Sequence, residues 1–378
     1  MVCLRGFQRV FVAGVVLGSL GGAADAQPDK AAEQSGWGAL PPLQLKANVN
    51  DIWLLTFAPD GKTLAVASFG NQRDVAPVLR LVDVTAPKPR ERHALTGHKK
   101  AAVALMAFAS EGKTLVSVAT DGTAKVWDVD AGKATSSFAV GKKDMDEPAL
   151  ESAWLTASGK TLVVFPMPRT AGGFGAAKPI PPRVELWDPL TGKLRRTVPL
   201  PPGQHGMALS PDGSTLVCGT GPADDLLPDS VAQERFWNLQ SGKQDGALSV
   251  KMVARALYSP TGKHVVFQQI NAETDVPGLV VWDVAKRKAA SPKAEGLKQS
   301  HAHGFSADGK YLATASADKR KITVWELSSE KELGRVPPLD SWVAAAALSA
   351  DGRTLAVVTD PDNALLIFAY KGSEADPR

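Results

Sequence analysis

One eight-residue phrase returns through this chain at near-regular intervals and restricts its fold more than any other feature. SPDGSTLV, from Ser210, reappears as APDGKTLA from Ala58, ASEGKTLV from Ala109, TASGKTLV from Thr156, SPTGKHVV from Ser259, SADGKYLA from Ser306 and SADGRTLA from Ser349. The turn glycines are Gly61, Gly112, Gly159, Gly213, Gly262, Gly309 and Gly352, separated by 51, 47, 54, 49, 47 and 43 residues. This is the interval at which one supersecondary unit repeats in a propeller or solenoid.

Within each copy apolar residues alternate on both sides of the turn, as in ALMAFASEGKTLVSVAT, which predicts two antiparallel strands joined by a tight hairpin. The central turn residues are expected at positive φ, which glycine adopts without a Cβ penalty. A third strand then ends in a second recurring phrase: LVDVTAPK from Leu81, VWDVDAGK from Val126, LWDPLTGK from Leu186, FWNLQSGK from Phe236, VWDVAKRK from Val281 and VWELSSEK from Val324. The lysines that close these phrases, Lys88, Lys133, Lys193, Lys243, Lys288 and Lys331, leave a turn and start a fourth strand.

A four-stranded sheet cannot cover both of its faces, so neighbouring copies must stack. Radial stacking leaves only short edges, and neither end of the array reads as the polar cap an open solenoid needs. The expected fold is all-β: a seven-bladed β-propeller of four-stranded antiparallel blades over residues 43–372. The seventh copy runs out after its third strand, with only SEADPR beyond Gly372. An N-terminal strand, Leu43-Gln44-Leu45-Lys46-Ala47-Asn48, is therefore expected to complete the last blade.

These residues resemble the WD-repeat β-propeller family. Trp127-Asp128, Trp187-Asp188 and Trp282-Asp283 match its namesake dipeptide, Trp237-Asn238 and Trp325-Glu326 are near matches, and Gly97-His98 matches its glycine-histidine pair. Val82 and Phe368 stand where the family has Trp. The resemblance implies a hydrogen-bond network of His98, Asp121 and Trp127 in blade 2 and a structural role for Trp187, Trp237, Trp282 and Trp325.

With 44% hydrophobic residues in 378, the chain has ample apolar content for a large core. Its 43 basic and 39 acidic residues are near balance and offer no basic stripe for nucleic acid. Residues 1–26, with Arg5, Arg9, a short apolar run and Ala24-Asp25-Ala26, read as a secretory signal, the alternative being an uncleaved anchor. Residues 27–42 read as a linker and 373–378 as a tail. The expected product is exported, periplasmic or secreted, monomeric, and not stably inserted in a membrane after cleavage. Cys218 is then the sole cysteine, so no internal disulfide forms.

From turn glycine to the Trp position the counts are 21, 15, 28, 24, 20, 16 and 16, so blades 1, 3, 4 and 5 carry longer connections between strands two and three. Inserted loops on a rigid scaffold commonly carry binding. In blade 3 the insertion is basic and Pro-rich, with Arg169, Phe174, Lys178 and Arg183; in blade 4 it is acidic, with Asp224, Asp225, Leu227 and Asp229. Either these loops form a recognition rim or they pair with one another.

Eight residues before the turn glycines stand Trp53, Ala104, Glu151, His205, Ala254, His301 and Ala344, with His303 two beyond His301. They are expected at the channel entrance, on the same face as the insertions. A metal role for Glu151 and the His pair is weighed against polar lining of the channel, and the lining is preferred. No HExxH, GxSxG, P-loop or CxxC is present. The expectation is a non-enzymatic scaffold for one or more protein partners, without cofactor or metal. The alternative is a propeller enzyme of hydrolase or dehydrogenase type, or a small-ligand or metal binder, using the channel.

Overall fold

The computed structural model describes residues 36–372 apart from 42, 44–51, 69–75, 86–87, 99–100, 110, 142–149, 167–181, 203, 221–232, 250–252 and 271–276. The expected signal, the tail and the centres of the blade 3 and blade 4 insertions lie outside the described residues.

Local turn chemistry explains why one phrase recurs. The Gly213 N–H donates to the Ser210 carbonyl at 2.9 Å, making Ser-Pro-Asp-Gly a β-turn. Ser210 Oγ donates to Asp212 Oδ1 at 2.6 Å and accepts from the Thr215 N–H at 2.8 Å, so one hydroxyl ties the turn to the returning strand. Ser306 with Asp308, and Ser349 with Asp351, repeat the arrangement. Among the described residues of these turns only the glycine takes positive φ, 68° to 76° in all seven copies. The residue before it, also expected there, does not. Pro59, Pro211 and Pro260 instead pre-set the first turn position in blades 1, 4 and 5.

The second phrase is explained in the same way. Its acidic or amide residue caps the turn between strands three and four: Asp128 Oδ1 accepts from the Ala131 N–H at 2.8 Å, Asp188 Oδ1 from Leu190 and Thr191, Asn238 Oδ1 from Gln240 and Ser241. Asn serves as well as Asp because the turn uses only its oxygen.

The strands assemble into seven four-stranded antiparallel sheets. Blade 2 is typical, running from the channel outward as Val103–Phe108, Thr114–Ala119, Thr123–Asp128 and Lys133–Ala139. Second strands lie between two neighbours; in blade 1 every residue of Thr63–Ser68 is buried. Outermost strands such as Arg90–Leu95 alternate exposed and shielded positions. Between every pair of adjacent blades lies one apolar cluster. That holds for blades 7 and 1 as well, where Leu64, Val66 and Val82 meet Ala356, Val358 and Ile367. The stack is therefore a closed ring.

Closure is made by an N-terminal strand, but not by the expected residues. The fourth strand of blade 7 is Trp37–Ala39, antiparallel to Leu365–Tyr370, with Trp37 opposite Tyr370 and Ala39 opposite Phe368. It begins six residues upstream of Leu43, inside the stretch read as linker. Leu43 packs against the apolar cluster between blades 7 and 1, while 44–48 lie outside the described residues. The physical reason is Trp37: it is 4% exposed, packs with Val336 and Phe368, and sets its ring 5.4 Å from that of Tyr370. A second tie crosses the same seam, where the Ile52 N–H donates to Asn363 Oδ1 at 2.9 Å.

The blade 2 network forms, with two members the sequence did not reveal. Trp127 Nε1 donates to Ser117 Oγ at 2.8 Å, and Ser117 Oγ lies 2.7 Å from His98 Nε2. His98 Nδ1 lies 3.2 Å from Thr123 Oγ1, which donates to Asp121 Oδ1 at 2.5 Å. Every donor finds an acceptor if the neutral imidazole carries its proton on Nδ1. Burial, partly offset by Asp121, lowers the His98 pKa to about 4 and keeps the ring neutral. Ser117→Ala orphans both the indole N–H and His98 Nε2, so urea unfolding should report a loss of about 2 kcal/mol. In blade 3, Trp187 Nε1 donates instead to Glu185, and in blade 6 Trp325 Nε1 donates to Thr314.

Candidate functional site

The channel is built from the seven innermost strands, and each carries a β-bulge near the end where it begins. A bulge breaks the two-residue alternation and re-aims a side chain. The extra residues are Trp53, Ala104, Glu151, Met207, Ala254, His303 and Ala344. Five of them are members of the expected channel register. His205 and His301 remain regularly paired, opposite Gly219 and Ala315, and the bulge moves two residues on, to Met207 and His303.

Two electrostatic groupings result. On blades 3 and 4, burial raises the Glu151 carboxyl to about 7, partly offset by a hydrogen bond from the Gly206 backbone. Glu234 is 2% exposed; its Oε2 has no hydrogen-bond partner among the described residues, and burial alone raises it to about 7. Cys218, fully buried beside them, has its thiol pKa pushed up by burial and then by Glu151 and Glu234, which leaves it protonated and unreactive. Burial lowers the His205 pKa. On blades 5 and 6, His303 is lowered to about 3 by burial, then by Arg255 and His301. Arg255 Nη1 donates to the Ala302 carbonyl at 3.5 Å, and Gln268 Nε2 pairs with His301 Nδ1. Among the described residues no group of three His, Cys, Asp or Glu side chains stands close enough to hold a metal.

Of the expected rim, Arg169, Phe174, Lys178, Asp224, Asp225, Leu227 and Asp229 lie outside the described residues. Arg183 stands at the base of the blade 3 insertion, where its Nε donates to Glu185 Oε1 at 3.0 Å. Glu185 also receives the Gly141 N–H and Trp187 Nε1, so that arginine belongs to the mooring of the loop. A residue missed in the sequence stands nearby in register: Trp342, first in the innermost strand of blade 7 and 47% exposed. Antiparallel connectivity puts it on the face that carries the insertions. It lies outside both recurring phrases, and the signal that would have found it is that very mismatch.

Seven four-stranded blades around a channel define this protein as a β-propeller. Residues 89–128 match the family model described as WD domain, G-beta repeat, the segment that holds His98, Ser117, Asp121 and Trp127. The match and the ring together support membership of the WD-repeat propellers. Among solved structures the chain is similar to Kuenenia stuttgartiensis hydrazine synthase, with a TM-score of 0.61 and 16% identity over 85% of this chain and 96% of that one. At that identity the likeness is one of fold. No curated protein matches the chain.

Proposed function

We propose that this propeller is a non-enzymatic scaffold that binds a protein partner through the face carrying the long connections of blades 1, 3, 4 and 5. The observation that carries this reading is Trp342, an indole left 47% exposed on that face while Trp127, Trp237, Trp282 and Trp325 are buried. Exposed aromatics set on a rigid frame are the residues that dominate binding energy in interfaces. The basic insertion of blade 3 and the acidic insertion of blade 4 supply charge that steers a partner. Export to the periplasm or beyond, as proposed from residues 1–26, puts that partner in the envelope. Among the described residues no helix is long and apolar enough to cross a membrane.

The test is a pull-down from the native envelope fraction with wild type, Trp342→Ala, a variant lacking residues 169–182, and Leu190→Ala. Leu190 is 68% exposed but belongs to the opposite face, which makes it the control. The expected result is a partner kept by Leu190→Ala and reduced at least about tenfold by Trp342→Ala. Equal recovery with all four proteins refutes the assignment of the face.

A further inference from the structure

The other mouth of the channel, where the glycine hairpins lie, holds a cavity of about 310 Å³. Its walls come from the innermost strands of blades 6, 7, 1 and 2, with Leu55, Phe57, Phe108, Phe305 and Leu348 among the apolar residues and Thr56 and His303 among the polar ones. Among the described residues no acidic side chain, lysine or arginine lines it. The volume is that of a small-molecule site, and apolar atoms make the larger part of its lining.

The repeat shows how the cavity arises. Five residues before the turn glycine stand Thr56, Ala107, Trp154, Ala208, Leu257, Gly304 and Ala347. Trp154 packs into the cluster between blades 3 and 4, its indole against Gly206, and Leu257 packs into the cluster between blades 5 and 6. Ala208 sits with Phe236 and Phe267. In blades 6, 7, 1 and 2 the same register carries Gly304, Ala347, Thr56 and Ala107, and these four are the blades that wall the cavity. A Cβ on Gly304 would meet only the Ala346 carbonyl oxygen, at an ordinary contact distance of 3.7 Å, and the glycine is not required by its backbone. His303 Nε2 has no hydrogen-bond partner among the described residues and is closed off from solvent, so it does not face the cavity.

We infer that this mouth is a binding site for a neutral, largely aromatic or alicyclic small molecule held by its apolar walls. The absence of formal charge in the walls selects a neutral ligand, since an ion buried there would lose its hydration without compensation. About two or three fused or linked rings fill the space. The site is on the face opposite the proposed partner surface and does not depend on it.

The probe is N-phenyl-1-naphthylamine, neutral and bearing one N–H, titrated by fluorescence against its sulfonated relative 1-anilinonaphthalene-8-sulfonate. Wild type is expected to bind one N-phenyl-1-naphthylamine per chain with Kd on the order of 10 μM, and the sulfonate at least about tenfold more weakly. Gly304→Leu puts into blade 6 the residue blade 5 has at this register and should weaken the probe at least about tenfold. Trp342→Ala, at the far mouth, should leave binding unchanged. Thermal melts check that each variant is folded. No saturable binding by wild type, equal affinity for the two probes, or undiminished binding by folded Gly304→Leu overturns the site.

Discussion

A chain that starts at Leu43, lacking Trp37–Ala39 but keeping the 43–48 stretch, should melt on the order of 5 °C below the full protein. The expectation rests on one side chain more than on three backbone pairs. Trp37 is 4% exposed within the cluster between blades 6 and 7, and loss of a buried tryptophan costs about 3–5 kcal/mol. Trp37→Ala alone should therefore reproduce most of the effect. Without the strand the outer edge of Leu365–Tyr370 is also left unpaired, a template for association with another chain. Calorimetry and light scattering on the truncated chain check both consequences. A truncated chain as stable as the full one would return closure to residues 43–48.

What the sequence made legible was whatever seven copies repeat. The turn glycine, the hydroxyl before it and the capping Asp or Asn each answer a local backbone need, so they recur and can be read by alignment of the chain with itself. The closing strand was misplaced because three residues are too short to show a two-residue period, whereas Leu43-Gln44-Leu45 shows one. Ser117 escaped because a serine within TLVSVA looks like any small strand residue until Trp127 and His98 are seen to converge on it.

Functional features fall on the other side of that line, because they are departures from the repeat. Trp342 has no counterpart in the other blades, and the hairpin-side cavity is an absence, the small side chains Gly304, Ala347, Thr56 and Ala107 where blades 3 and 5 carry Trp154 and Leu257. The two mouths thus differ in character. The insertion-bearing mouth varies by added loops on the outside of a common frame, and the hairpin mouth varies by subtraction inside it. In blades 3, 4 and 5 the same register packs into the clusters between blades, so at this position inter-blade packing and cavity are alternative uses of one site in the repeat.

Replacing Glu234, in the third strand of blade 4, by Gln should remove one component of the pH dependence of stability. Glu234 is 2% exposed, its Oε2 has no hydrogen-bond partner among the described residues, and its pKa rises from 4.5 to about 7 through burial. A carboxyl raised in the native state holds its proton there while the unfolded chain releases it. Its favourable share is fully present below about pH 4.5 and is lost as pH rises through 7, a difference of about 3 kcal/mol. Glu151, also raised to about 7, acts in the same direction. His98 and His303, lowered to about 4 and about 3, act oppositely: their share is present above about 6.5 and lost as pH falls through those values. The wild-type profile is the sum of both slopes, and the variant isolates one of them. Urea unfolding of Glu234→Gln against wild type should show a gap that widens by about 3 kcal/mol in favour of the variant between pH 4.5 and pH 8.5. A constant offset from the amide is compatible with this, since only the change with pH reports the buried proton. Parallel profiles for the two proteins would mean that the carboxylate is solvated in the native ring.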